Sequence, residues 1–185
     1  MANTQTLRII AGQWRGRKIR FPDIQQIRPT PDRVRETLFN WLMPVITGAR
    51  CLDLFAGSGV LGLEALSRGA GEVVFCDRNK KIGVYLKETL QLLGAENAQV
   101  ISQDAKQYLN EASMPFDIVF LDPPYDSGEL IDCCNLLEQQ RLLKPDAMIY
   151  LEHRGDLAAA DLPVNWSLFR EKQAGQVCYQ LVKRN

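Results

Sequence analysis

The sequence predicts an α/β fold, a mostly parallel sheet with helices on both faces, and three observations carry the prediction. From Arg50 onward short apolar runs alternate with helical patterns. Glycines stand where two of those helices should end, at Gly69 and Gly94. The last two apolar runs are separated only by Lys172–Gln176, so they are expected to pair as a hairpin and turn one strand antiparallel.

Element by element, strands are expected at Cys51–Phe55, Glu72–Asp77, Gln99–Ser102, Asp117–Asp122, Ala147–Glu152, Trp166–Glu171 and Val177–Lys183. Helices are expected at about Val60–Arg68, Lys80–Leu93, Asp104–Glu111 and Gly128–Gln139. Before this core, Leu7–Gly12 and Arg17–Phe21 alternate enough to form two short strands. Gly12 to Gly16 reads as the turn between them, with Trp14 and Arg15 at the tip. Thr30-Pro31-Asp32 then opens a helix, with Thr30 as its cap and Pro31 in the first turn. Val34, Leu38, Trp41, Leu42 and Val45 give that helix an apolar face. Residues 1–48 are therefore expected to be a basic hairpin and helix, and residues 49–185 the α/β domain.

Charge divides the chain at the same place. The net charge is zero, yet residues 1–48 hold eight basic side chains against three acidic ones, leaving the rest acidic. A basic arm suits a polyanion, and an acidic body suits a positively charged small molecule. Five cysteines without a Cys-x-x-Cys spacing, mostly within apolar stretches, read as small buried hydrophobes in a reducing compartment. With His153 as the only histidine, no metal site is expected, and His153 itself reads as structural. No apolar run approaches the roughly 18 residues of a membrane span, so the expectation is a soluble, cytoplasmic chain without a membrane partner. Nothing in the pattern demands a dimer, and a monomer is expected.

Leu52–Gly62 is a strand, a glycine turn and a helix start. Gly57, Gly59 and Gly62 fit the G-x-G-x-x-G fingerprint, and Asp77 lies where a ribose-binding acid would follow. This motif alone does not separate a nicotinamide enzyme from an S-adenosylmethionine enzyme. Three further features favour the second. Asp53 puts an acid near the ligand, which suits a sulfonium better than a pyrophosphate. Asp104, after the third strand, is placed to accept from an adenine amine. The third is Asp122-Pro123-Pro124-Tyr125, directly after the apolar run Phe116–Leu121.

Two prolines cannot continue a central strand, because they lack the N–H its ladder needs. They hold a short shelf past the strand's carboxyl end, the edge where open α/β sheets bind ligands. Asp122 and a backbone carbonyl can accept both hydrogens of an exocyclic amine while Tyr125 stacks on the ring. That chemistry points to methylation of a nucleobase amino group. Hydride transfer gives no reason for such a shelf.

With these residues in place, the chain resembles the class I methyltransferases that act on exocyclic amines, and more closely the RsmD-type 16S ribosomal RNA guanine-N2 methyltransferases. The resemblance runs nearly end to end, through Arg8–Gly12, Gly16-Arg17, Arg28–Glu36, Leu52–Gly62, Asp77 and Asp122–Tyr125. It implies a Rossmann-like three-layer sandwich with a seven-stranded, mostly parallel sheet. It also implies S-adenosylmethionine as cofactor, with Gly57 and Gly59 along its methionine part and Asp53 nearby. Asp77 would hold the ribose hydroxyls, and Asp104 with Ala105 the adenine; Phe55, Ala56, Arg78 and Asp122 complete the expected cofactor contacts. Thr30 and Arg33 would close over the cofactor, Arg33 on its carboxylate. Asp122, Pro123, Pro124 and Tyr125 would hold the target base.

The basic hairpin, with Arg8, Trp14, Arg15, Arg17, Lys18 and Arg20, mixes cations and an aromatic as RNA contacts do. The implied partner is 16S ribosomal RNA within an assembled or partly assembled small subunit. Adenine-N6 methylation of DNA or RNA is the alternative, because Asp-Pro-Pro-Tyr is shared with adenine methylases. Glutamine methylation of a protein is weaker, those enzymes tending to carry Asn at the position of Asp122. An idle RNA-binding assembly factor would have no use for an intact Asp122, Tyr125 and glycine turn.

Overall fold

The computed structural model describes residues 4–22, 29–124, 128–154 and 157–185, so Arg28 and Tyr125 lie outside the described residues. After two amino-terminal strands, β1 (Thr4–Arg8) and β2 (Lys18–Pro22), comes helix α1 (Asp32–Leu42). The α/β core follows as β3 (Arg50–Asp53), α2 (Val60–Ser67), β4 (Glu72–Cys76), α3 (Lys80–Leu93), β5 (Ala98–Ile101), α4 (Ala105–Glu111), β6 (Phe116–Leu121), α5 (Glu129–Gln139) and β7 (Leu143–His153), closed by β8 (Trp166–Ala174) and β9 (Val177–Arg184).

The main sheet has the order β5-β4-β3-β6-β7-β9-β8. Strands β3 to β7 pair in parallel. β9 pairs antiparallel with both of its neighbours, so it alone runs against the rest. This is the seven-stranded sheet with one reversed strand that the sequence predicts. Chain order turns outward in both directions from β3 and β6, which makes the crevice past their carboxyl ends the natural ligand site.

Alternating residues send the two faces of the sheet into separate cores. Cys51, Phe75, Ile118, Phe120 and Tyr150 pack with α1, α2 and α3. Leu52, Val74, Val119, Leu121 and Ile149 pack with α4 and α5. The amino-terminal segment has no core of its own: Leu7, Ile9, Ile19, Phe21, Leu38 and Phe39 join the first of these. The five cysteines are free and buried. Burial holds the Cys76 and Cys133 thiols up at about 12, out of the range of thiolate chemistry.

Two local expectations change. Thr30 does not cap α1; Pro31 stands at the cap position with extended backbone, and no side chain closes the helix end. The hairpin strands are also displaced outward from the predicted Leu7–Gly12 and Arg17–Phe21. Ile9 still bonds across the hairpin to Arg17 O and Gly16 N–H, but beyond it the backbone is held by α2: the N–H groups of Ile10 and Ala11 donate to the Glu64 carboxylate at 2.9 and 3.0 Å. Among the described residues, no helix is long and apolar enough to cross a membrane.

Candidate active site

The glycine turn joins β3 to α2 at the crevice. Gly57 and Gly59 have φ of +50° and +72°, a left-handed backbone that a residue with a Cβ adopts only under strain. Gly62 serves packing instead: a Cβ there would lie 2.2 Å from the Phe75 ring. Asp53 ends β3, is buried, and its Oδ2 accepts the Gly62 N–H at 3.0 Å. Burial raises the Asp53 carboxyl to about 7, with Asp77 adding to the rise and the Gly62 bond opposing it.

Asp77, just past β4, braces the turn. Its Oδ2 accepts from Gly57 N–H at 2.9 Å and its Oδ1 from Asn79 N–H at 2.8 Å. Ala56 is buried and its N–H donates to Cys76 O at 2.9 Å, while Phe55 is half-buried beside it. Arg78 is exposed on the rim. Asp104 caps α4, its Oδ1 accepting from Lys106 and Gln107, and Ala105 is buried behind it. The strand ends of β3, β4 and β5 thus present Asp53, Asp77 and Asp104 in a row along one edge.

Asp122 follows β6 and is half-buried; Pro123 is buried and Pro124 exposed. Burial raises the Asp122 carboxyl well above its usual range, and the charges of Glu152 and Asp53 raise it further. A cavity of about 130 Å³ opens beside the shelf, lined by Pro123, Pro124, Leu130, Ile131, Glu152 and His153 among others. Several carboxylates therefore converge at one crevice, two of them with raised affinity for a proton. Such a place favours a cation.

The hairpin presents its cations on one face. Arg8 pairs with Lys18 and Thr6 with Arg20 in the β1–β2 register, and Arg8, Lys18 and Arg20 point outward while Leu7, Ile19 and Phe21 point in. Arg15 and Arg17 are exposed at the turn. Trp14 does not join them. Its side chain is only 7% exposed and belongs to the core, so the indole is not available for stacking on RNA, and its backbone N–H donates to Ser67 Oγ at 3.0 Å. A larger cavity, of about 280 Å³, lies between hairpin and α1 and brings together Arg8, Lys18, Thr30, Pro31, Asp32 and Arg35. Thr30 is buried in its wall, and Arg33 is exposed on the first turn of α1.

Two features escaped the sequence reading. Arg35, counted there as part of a basic arm, is 1% exposed and entirely structural. Its guanidinium donates to Thr30 O, Arg8 O, Glu64 Oε2 and the Asp32 carboxylate. Glu64, fully buried, also takes a bond from Arg68 Nε at 2.9 Å. The available signal was a single acid inside the apolar helix Val60–Ser67, which needs a buried partner. The second is Glu152, an acid closing an apolar strand as Asp122 does.

The family model described as conserved hypothetical protein 95 matches residues 7–183. The chain is 50% identical over 178 residues to the ribosomal RNA small subunit methyltransferase D of Escherichia coli strain K12, covering 96% of this chain and 90% of that one. To the protein of the same name in Haemophilus influenzae it is 48% identical over 179 residues, covering 95% and 92%. Among solved structures, yhhF from Escherichia coli superposes with a TM-score of 0.89 at 47% identity, covering 97% of this chain and 98% of that one.

Proposed function

We propose, from the premise that the chain belongs to the conserved hypothetical protein 95 family, that it methylates the exocyclic N2 of a guanine in 16S ribosomal RNA, with S-adenosylmethionine as donor. Its relatives over nearly the whole chain are named as ribosomal RNA small subunit methyltransferases. The observation that carries the reading is the juxtaposition of the glycine turn and Asp122. Both stand past the carboxyl ends of the neighbouring strands β3 and β6, in a crevice lined by carboxylates.

The residues present fit the cofactor. Burial makes Asp53 and Asp122 hold their protons more tightly than ordinary carboxyls, with the Asp77 charge adding to the first and the Glu152 and Asp53 charges to the second. A sulfonium and an ammonium group would relieve that repulsion. Gly57 and Gly59 let a ligand approach the backbone, Asp77 suits a diol, and Asp104 has an oxygen beyond its capping Oδ1 for an amine. When bound, the cofactor supplies a methyl group on a positively charged sulfur, so the leaving group needs no activation. Thr30 and Arg33 are assigned to the cover over it, Arg33 toward its carboxylate.

The chain's own task is to make a poor nucleophile available. The lone pair of a guanine amine is delocalised into the ring. Asp122 and the Pro123 carbonyl accept its two hydrogens, which favours a pyramidal nitrogen and frees the pair. Tyr125 is assigned the ring face. A nitrogen–carbon bond forms as the sulfur–carbon bond breaks, and the amine proton then leaves to Asp122 or water. Most of the acceleration is positioning and electrostatics. The target must be unstacked to reach the shelf. The outward face of the hairpin, with Arg8, Arg15, Arg17, Lys18 and Arg20, grips the phosphates around it. A chain this small has little surface for reading sequence, which favours an assembled subunit as substrate.

The test is transfer of labelled methyl from S-adenosylmethionine to small ribosomal subunits that lack their own methylation, followed by nucleoside analysis. N2-methylguanosine is expected. Methyladenosine would replace this reading by adenine-N6 methylation, and no transfer despite cofactor binding would remove ribosomal RNA as the substrate.

A further inference from the structure

The Asp-Pro-Pro shelf fits any flat base with an exocyclic amine, so it does not by itself choose guanine over adenine. The two bases differ at the ring position beside that amine. Guanine carries a hydrogen on N1, a donor next to the donors of N2; adenine carries a lone pair on N1 beside its N6 amine. A site for guanine therefore needs two acceptors side by side, and a second carboxylate next to Asp122 would supply them.

Glu152 stands there. In the parallel pairing of β6 with β7, Leu121 is opposite Leu151, so positions 122 and 152 are neighbours at the carboxyl ends of adjacent strands. They also share a face. Phe120 and Tyr150 lie in the same core with ring centroids 6.5 Å apart, and Asp122 and Glu152 each come two residues later. Glu152 is 7% exposed and is oriented by the Tyr150 hydroxyl, which donates to its Oε2 at 2.9 Å. Its side chain lines the cavity that opens beside Pro123 and Pro124.

We infer that Glu152 selects the base: its carboxylate accepts the N1–H of guanine while Asp122 accepts the amine. Facing adenine, the same oxygen meets a lone pair. This inference rests on the proposed guanine-N2 reaction. A site built around a substrate N–H rejects an analogue lacking it by roughly 10⁴-fold, because the buried acceptor is left unpaired.

The experiment compares target RNA carrying guanosine with the same RNA carrying 2-aminopurine at the methylated position. 2-Aminopurine keeps the C2 amine and replaces N1–H by a lone pair. The wild-type protein should methylate guanine in preference by roughly 10³-fold or more in kcat/KM. Glu152→Gln, whose amide can present N–H to a lone pair, should bring the ratio below about 10. Glu152→Asp, which keeps the charge, should retain a clear preference for guanine. Binding of S-adenosylmethionine, measured by calorimetry, should be the same in all three. The fluorescence of 2-aminopurine reports separately whether that base leaves the stack in each complex.

Equal use of both RNAs by the wild type, or an unchanged ratio in Glu152→Gln, overturns the inference. Absence of any guanine methylation by the wild type overturns the proposed function instead. Should Glu152→Gln fail to fold or to bind cofactor, the wild-type ratio and that of Glu152→Asp still decide: a wild type indifferent to N1–H overturns the inference.

Discussion

Replacing Asp53 by Asn should remove a pH-dependent weakness from the free protein. The Asp53 carboxyl ionises at 3.8 when unperturbed and only at about 7 in the folded chain, chiefly because it is buried. Between those values the folded chain holds a proton that the unfolded chain has released. Stability therefore falls as pH rises through that window and levels off above 7. At 1.36 kcal/mol per pH unit the whole shift amounts to about 4 kcal/mol, a little over a third of it already expressed at pH 5. Wild type should thus lose about 3 kcal/mol relative to Asp53→Asn between pH 5 and pH 8. For a chain of this length that is roughly 6–12 °C in Tm. Asn keeps an oxygen for the Gly62 N–H, so the turn is preserved. Asp122 titrates in both proteins under the same larger causes, burial and the Glu152 charge, and only the smaller contribution of Asp53 is lost in the variant. The assay is urea or thermal unfolding of both proteins at pH 5, 6, 7 and 8 at constant ionic strength. Parallel curves would refute the reasoning, since they would mean that Asp53 is already ionised in the folded protein at pH 5. Saturating S-adenosylmethionine should flatten the wild-type curve, because a nearby cation returns the carboxyl toward its ordinary range.

Asp122→Ala should lower methyl transfer by at least roughly 10²–10³-fold with cofactor affinity nearly unchanged, as calorimetry beside a turnover assay will show; loss of both would make the residue structural. Reversing charge in Arg15→Glu with Arg17→Glu should weaken RNA binding and reduce the slope of log K against log salt by about 2, and an unchanged slope would take the turn out of the interface. Gly12→Ala should destabilise the protein by about 2–4 kcal/mol in urea unfolding, since φ is +81° and the new Cβ would fall 1.8 Å from Ser67 O; a neutral result would mean that the turn does not seat on α2 as described.

Periodicity and turn chemistry gave the α/β core because each element is locally decided. Asn79 and Gly94 bound α3, Asp104 caps α4, and β6 stops at its prolines. The crevice was legible for the same reason, as its acids sit at strand ends next to a glycine turn. What was not legible depends on contacts far apart in the sequence. The alternation of residues 7–12 reads as strand, yet Glu64 takes the N–H groups of Ile10 and Ala11 from more than fifty positions away. Trp14 looked like an exposed tip because its neighbours are charged and glycine-flanked, and only the packing of the turn against Ser67 buries it. Arg35 belonged by composition to a polyanion-binding arm, and by burial it is the arm's anchor.

That anchor bears on how base and methyl donor meet. Helix α2 is buried along all of its eight residues. Its amino end follows Gly57 and Gly59, while its last turns hold the hairpin through Glu64 and Ser67: Ser67 Oγ donates to Ala11 O at 2.6 Å, and Gln13 N–H donates to Ser67 O at 2.7 Å. At 1.5 Å per residue the two ends are about 12 Å apart, less than the length of a few nucleotides. A hairpin on a flexible stalk would have to find its register with the crevice each time it bound RNA. Here the hairpin, with its proposed phosphate-binding face, and the glycine turn proposed for the cofactor are held at opposite ends of one short helix, locked by the ion pair of Arg35 with Glu64 at 3.2 Å. Breaking a buried pair of this kind by removing one partner costs about 3–5 kcal/mol. Under the proposed function, the distance from bound phosphate to reacting methyl is therefore set by the fold before the substrate arrives.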